Sequence, residues 1–153
     1  MGVYLITGGA SGIGADLALA LRGPGHSILF ADIERVELPG IRSVICDLSD
    51  EGQVASLLCG VEAVEGRLDG LICHAGAGRD EDCASTGRLI NAAASLLRQP
   101  RGKAVAIGTH HPGALPEFAR TLERELGPEI RVNYFAPFSP AANLADLTAY
   151  LQG

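Results

Sequence analysis

Thr7-Gly8-Gly9-Ala10-Ser11-Gly12-Ile13-Gly14 is the stretch that decides the fold. Before it runs the apolar Val3-Tyr4-Leu5-Ile6, and after it comes an amphipathic pattern with Ile13, Leu17, Ala20 and Leu21 at i, i+4, i+7 and i+8. A strand, a glycine-rich turn and a helix in immediate succession form a phosphate cradle. One Gly makes the tight turn, a second lets a pyrophosphate approach the backbone, and a third lets helix and strand pack closely. Free N–H groups and the dipole at the helix start then hold the negative charge. Gly8, Ser11, Gly12, Ile13 and Gly14 are the candidate contacts.

Eighteen residues past Gly14, Asp32 closes a second apolar run, followed by Ile33. A carboxylate there accepts hydrogen bonds from the adenosine ribose hydroxyls and repels a 2′-phosphate. Neither Ala10 nor Ser11 supplies a compensating cation. NAD(H) is therefore expected in preference to NADP(H), with Arg35 as the one nearby argument for the phosphate.

Further apolar runs at 43–46, 70–73, 104–107 and 131–135 alternate with helical stripes. Val54, Leu57, Leu58 and Val61 form one stripe, and Leu115, Phe118, Ala119, Leu122 and Leu126 another. Helices are also expected over 85–97 and 144–151, with 79–82 read as a solvated loop. Strands apolar on successive residues are buried on both faces, which means a parallel sheet. The expectation is an α/β, Rossmann-like doubly wound sheet of about six strands in a three-layer αβα sandwich. The segment 32–42, with Pro39-Gly40, is short for a full helix.

The 153 residues fit a single domain, 1–153, able to bury roughly 68–70% of its unfolded surface. A net charge of −6 argues against nucleic acid and acidic membrane as partners. No apolar run approaches the ~18 residues of a membrane span, and no signal-type segment opens the chain. Cys46, Cys59, Cys73 and Cys83 contain no C-x-x-C pair, and three of them lie in apolar runs. Buried, reduced thiols in a cytoplasmic protein are expected.

The chain resembles the short-chain dehydrogenase/reductase family. Thr7-Gly-x-x-x-Gly12-x-Gly14 is similar to its glycine signature, and Cys46-Asp47-Leu48-Ser49-Asp50 to its segment after the third strand. The resemblance implies that Asp47 meets the adenine amino group and Leu48 its ring. Leu68 to Gly76 is similar to the fourth strand and its Asn-Asn-Ala-Gly turn, with Cys73-His74 replacing the two Asn and Ala75-Gly76 kept. His74, Ala75 and Gly76 thus fall beside the ribose, His74 either as a structural hydrogen-bonder or as a catalyst. Residues 130–137 are similar to the sixth strand, with Phe138 where a Gly is usual.

The family's chemistry rests on a Ser after the fifth strand and a Tyr-x-x-x-Lys on the next helix. The tyrosines here are Tyr4, Tyr134 and Tyr150, none with Lys four residues on, and the sole Lys, Lys103, precedes the fifth strand. That places it at the sheet edge opposite cofactor. Thr109 stands at the Ser position, and His110 or His111 can replace Tyr as proton donor, since imidazole titrates near pH ~6.5. The alternative is a plain polar loop before Pro112-Gly113. No metal is expected, because adjacent His residues rarely share one ion and no third ligand is placed. Asn91 matches the family's proton-relaying Asn or else is a buried Asn bridging backbone.

Two classes of function follow: an atypical NAD(H)-dependent oxidoreductase acting on a small carbonyl or alcohol, or a non-catalytic dinucleotide-binding module such as a sensor or partner subunit. A sixth strand left as sheet edge with Tyr134 and Phe135 also implies a homodimer or larger homo-oligomer, through that edge or through the shortened helices.

Overall fold

The computed structural model describes residues 2–8, 13–23, 25–35, 37–74, 80–99, 102–107, 115–135 and 140–153. In chain order the elements are β1 (Val3–Thr7), α1 (Ile13–Leu21), β2 (Ser27–Asp32), β3 (Arg42–Ile45), α2 (Glu51–Val64), β4 (Gly70–His74), α3 (Asp80–Ala92), α4 (Ala94–Arg98), β5 (Lys103–Ile107), α5 (Leu115–Leu126), β6 (Arg131–Phe135) and α6 (Pro140–Gln152). The six strands form one sheet in the order β3-β2-β1-β4-β5-β6, with every pairing parallel. The doubly wound architecture expected from the apolar runs is what the chain adopts.

Each face of the sheet has its own core. On one, Val54, Leu57, Leu58 and Val61 of α2 join Leu89 and Ile90 of α3, Leu96 and Leu97 of α4, and Ala119, Leu122 and Leu126 of α5. On the other, Leu17, Ala18 and Leu21 of α1 meet Leu147 and Leu151 of α6 over Tyr4, Ile6, Phe30 and Ile72. Within α1 the buried small residue is Ala18, whereas Ala20, expected on the packed face, is exposed. Gly70 has no room for a side chain, since a Cβ there would lie 2.6 Å from the Tyr4 ring and 3.0 Å from Leu151.

Two helices differ from expectation. The helix expected over 85–97 begins at Asp80 and breaks at Ala93, which divides α3 from α4. Asp80, Glu81 and Asp82 therefore open a helix instead of forming a solvated loop. Similarly, α6 starts four residues before Leu144.

Among the described residues, no helix links β2 to β3. The connection turns at Pro39-Gly40, Gly40 holding φ +76, and closes with an antiparallel bridge between Leu38 and Ile41. As a result the connection covers β3 poorly, and Ile45 is 59% exposed. At the amino ends of the strands, the Asp69 carboxylate accepts the Val3 N–H at 2.8 Å and pairs with Arg67 at 3.1 Å.

Candidate functional site

β1 and β4 are neighbours in the sheet, yet the chain leaves them in opposite directions, toward β2 and toward β5. In open α/β sheets such divergence marks the ligand crevice, at the carboxyl ends of the strands. Gly8 stands at its lip with φ +74, a left-handed conformation that side chains strain to adopt. Its N–H donates to the Ala31 carbonyl at 3.0 Å, tying the start of the glycine turn to the end of β2. Gly14 is buried in the first turn of α1, consistent with close helix–strand packing. Ser11 and Gly12 lie outside the described residues, as does the side chain of Ile13.

One residue beyond Ala31, Asp32 ends β2. Its Oδ1 accepts from the Ile33 N–H at 2.6 Å and the Glu34 N–H at 3.4 Å, which fixes the carboxylate against its own backbone. Ile33 is 67% exposed beside it. Arg35 reaches Glu37 at 3.6 Å, with both side chains largely in solvent, a pairing worth little.

The segment after β3 is held by side chains that the motif alone did not point to. Asp47 Oδ1 accepts from Ser49 through both N–H (2.9 Å) and Oγ (2.6 Å), and these bonds hold the Asp47 carboxyl below its ordinary pKa. Gln53 Oε1 takes the Asp47 N–H at 2.9 Å while its Nε2 donates to Asp50 Oδ2 at 3.2 Å. Asp50 in turn caps α2 by accepting the Gln53 N–H. An acid followed three residues later by Gln is a capping-box type pattern, so a signal for Gln53 existed in the sequence. Leu48 is partly buried against the α2-side core.

At the base of the crevice, Thr7 is fully buried and its hydroxyl donates to the Ile72 carbonyl at 3.4 Å. Neighbouring Cys73 is buried, and burial pushes its thiol up to about 12, against a smaller opposing effect of the Thr7 hydroxyl. Of the other thiols, Cys46 is buried, whereas Cys59 is exposed on α2, contrary to the expectation of burial. His74 closes β4 in register with Ile107 of β5. The His74 side chain lies outside the described residues, as do Ala75, Gly76, Thr109, His110 and His111.

Asn91 is exposed in the last turn of α3, with Leu89 and Ile90 facing the core in its place. Because α3 starts at Asp80 beside the carboxyl edge, Asn91 lies roughly 16 Å further along the axis at 1.5 Å per residue. Its exposure is at odds with the buried backbone bridge expected of it.

Lys103 is the first residue of β5 and so occupies the opposite, amino edge of the sheet. Its ammonium donates to the Tyr150 carbonyl of α6 and sits 5.1 Å from the centroid of the Tyr150 ring. A cation on a late carbonyl of a helix complements the helix dipole. Lys103→Met should lower stability by about 1–2 kcal/mol. In a calorimetric melt of a domain this size that is a fall of about 2–8 °C in Tm.

These features are those of the short-chain dehydrogenase/reductase fold, and the resemblance read from the glycine signature is borne out. A short-chain dehydrogenase from Streptomyces avermitilis superposes with a TM-score of 0.75 at 17% identity, over 99% of this chain and 84% of that one. A metagenomic short-chain oxidoreductase in complex with NADP gives 0.82 at 22% identity, over 99% of this chain and 90% of that one. In sequence, (+)-borneol dehydrogenase 1 of Salvia officinalis is 35% identical over 82 residues, 48% of this chain and 32% of that protein. The chain thus spans about a third of the length of that curated relative. No family model matches. Among the described residues, no helix is long and apolar enough to cross a membrane.

Proposed function

We propose that this chain binds NAD(H) in the crevice between β1 and β4 and is an atypical oxidoreductase acting on an alcohol/carbonyl pair. The observation that carries the reading is the bond from Gly8 N–H to Ala31 O, which ties the first residue of the glycine turn to the end of β2, one residue before Asp32. Asp32 would accept the ribose hydroxyls, Ile33 and Leu48 would flank the adenine, and Asp47 would meet its amino group. Preference for NAD(H) rests on Asp32, whose charge opposes a 2′-phosphate. The metagenomic neighbour in complex with NADP supports dinucleotide binding in this fold without favouring NAD(H). When bound, the nicotinamide supplies or accepts the hydride. Proton transfer falls to Thr109 with His110 or His111, which follow β5 in sequence on the carboxyl-edge side. The free thiols of Cys46, Cys59 and Cys73 suit a cytoplasmic setting.

A second reading, a dinucleotide-binding module without turnover, is favoured by one observation. Lys103 is engaged with Tyr150 at the amino edge, away from the crevice. No tyrosine in the sequence has Lys four residues on. Titration calorimetry with NAD, NADH, NADP and NADPH tests both readings, and no binding of any of the four overturns both. Loss of NADH absorbance with a panel of carbonyl compounds then separates them: turnover selects the enzyme, binding without turnover the module.

A further inference from the structure

The two edges of the sheet are finished differently. On β6, Arg131 turns its N–H inward to Gly102 O, so alternation along the strand turns the N–H groups of Val132 and Tyr134 outward. Both are taken, the first by Glu123 Oε1 at 3.3 Å and the second by Asn133 Oδ1 at 2.8 Å. An incoming strand finds no donor there, which blunts the edge expected to pair.

Along β3 the same alternation leaves the Ile45 donor open, while the Asp47 N–H beyond it is taken by Gln53 Oε1. Cys46 donates inward to Asp32 O at 2.8 Å, so Ile45 presents its N–H and C=O to the open edge. Its side chain is 59% exposed, on the face that the helix-free connection leaves uncovered. On the other face, β3 and α2 leave a groove of about 850 Å³ walled by Val44, Leu57, Val61 and Val64. Val64 is 68% exposed at its rim. Arg42, paired with Glu65 at 2.5 Å, marks one end of the groove, and Asp50, the cap of α2, marks the other.

We infer that β3 is the self-association surface, and that its occupant is β3 of a second copy running antiparallel. A two-fold axis normal to the sheet, beside Ile45, sets the two Ile45 residues opposite each other, each N–H donating to the other's C=O. Such an axis keeps faces matched, so Val44 lies across from Cys46 of the second copy. It also reverses strand direction, which brings Arg42 toward Asp50 of the second copy on the groove face. Arg42, shared with Glu65 of its own chain, thus meets an Asp50 twice. The exposed apolar side chains of Val44, Ile45 and Val64 are then collected at one interface, where a lone edge strand would leave them in water.

Sedimentation velocity over a concentration series tests this directly. The unmodified chain should dimerise, and Ile45→Lys should raise the dimer dissociation constant tenfold or more, since an edge lysine opposes pairing. Glu123→Gln, on α5 beside the β6 edge, should leave it unchanged. In a Cys59→Ser background, Ile45→Cys should give a disulfide-linked dimer on mild oxidation, well ahead of Glu129→Cys. A monomer up to about 1 mM, a dimer indifferent to Ile45→Lys, or cross-linking no faster through position 45 than through 129 would each overturn the assignment. Ile45, Cys59 and Glu129 are exposed and Glu123 is half-buried at the helix surface, so the variants should keep the fold.

Discussion

Asp32→Ala should weaken NAD binding by roughly 10- to 150-fold, the loss expected when charge-assisted hydrogen bonds of about 1.5–3 kcal/mol disappear. The same change should leave NADP affinity level or raise it, because the group removed is the one that repels a 2′-phosphate. Titration calorimetry with the two dinucleotides reads both numbers from one protein. The prediction is asymmetric for a structural reason. Asp32 ends β2, and its carboxylate is fixed by the Ile33 and Glu34 N–H groups, while the alanine variant keeps the strand and the neighbouring Gly8–Ala31 bond. A uniform loss toward both dinucleotides would signal collapse of the turn. Unchanged NAD affinity would place the ribose elsewhere.

His110→Ala combined with His111→Ala should reduce NADH-dependent carbonyl reduction by about 10²-fold or more, the usual contribution of a positioned general acid. Dinucleotide affinity should hold, since binding is assigned to the β1–β2 side. The pair is tested together because either imidazole can serve as donor in the proposal. Steady-state turnover in the double variant at the unmodified rate would remove both residues from the chemistry. Lys103→Met is the matching control: it should cost stability through α6 and leave dinucleotide affinity where it was.

The parallel core was legible because burial on both faces writes itself as unbroken apolar runs, as in Tyr4-Leu5-Ile6 and Leu71-Ile72-Cys73. Glycine positions were legible for the same local reason, a backbone constraint that acts within a few residues. What escaped was tertiary. Nothing in Ala92-Ala93-Ala94 marks a helix break, and the bonds there, such as Leu68 N–H to Leu96 O, come from a distant segment. The start of α3 had a signal in its three acids, but solvated charge and helix N-terminus read alike without the strand before them. The edge chemistry was invisible as well, because Glu123 meets the Val132 N–H only after α5 has packed against β6. Around the crevice, spacing from the glycine turn put Asp32 at the end of β2, and the family resemblance singled out Asp47 after β3. Asn91 was misplaced because its helix begins five residues earlier than the pattern suggested.

Cys73 turns the crevice into its own reporter. Burial raises the Cys73 thiol far above its ordinary pKa, so at pH 8 it stays protonated, and its burial shields it from reagents in any case. Alkylation at Cys73 can therefore proceed only as fast as β4 parts from its neighbours, so its rate measures local opening. Cys59, exposed on α2, should be consumed almost at once and mark zero time. Mass spectrometry of the quenched mixture should show a fast and a slow site, and saturating NAD should slow Cys73 without touching Cys59. A cysteine with no evident part in the chemistry would thus clock the motions of the site it underlies.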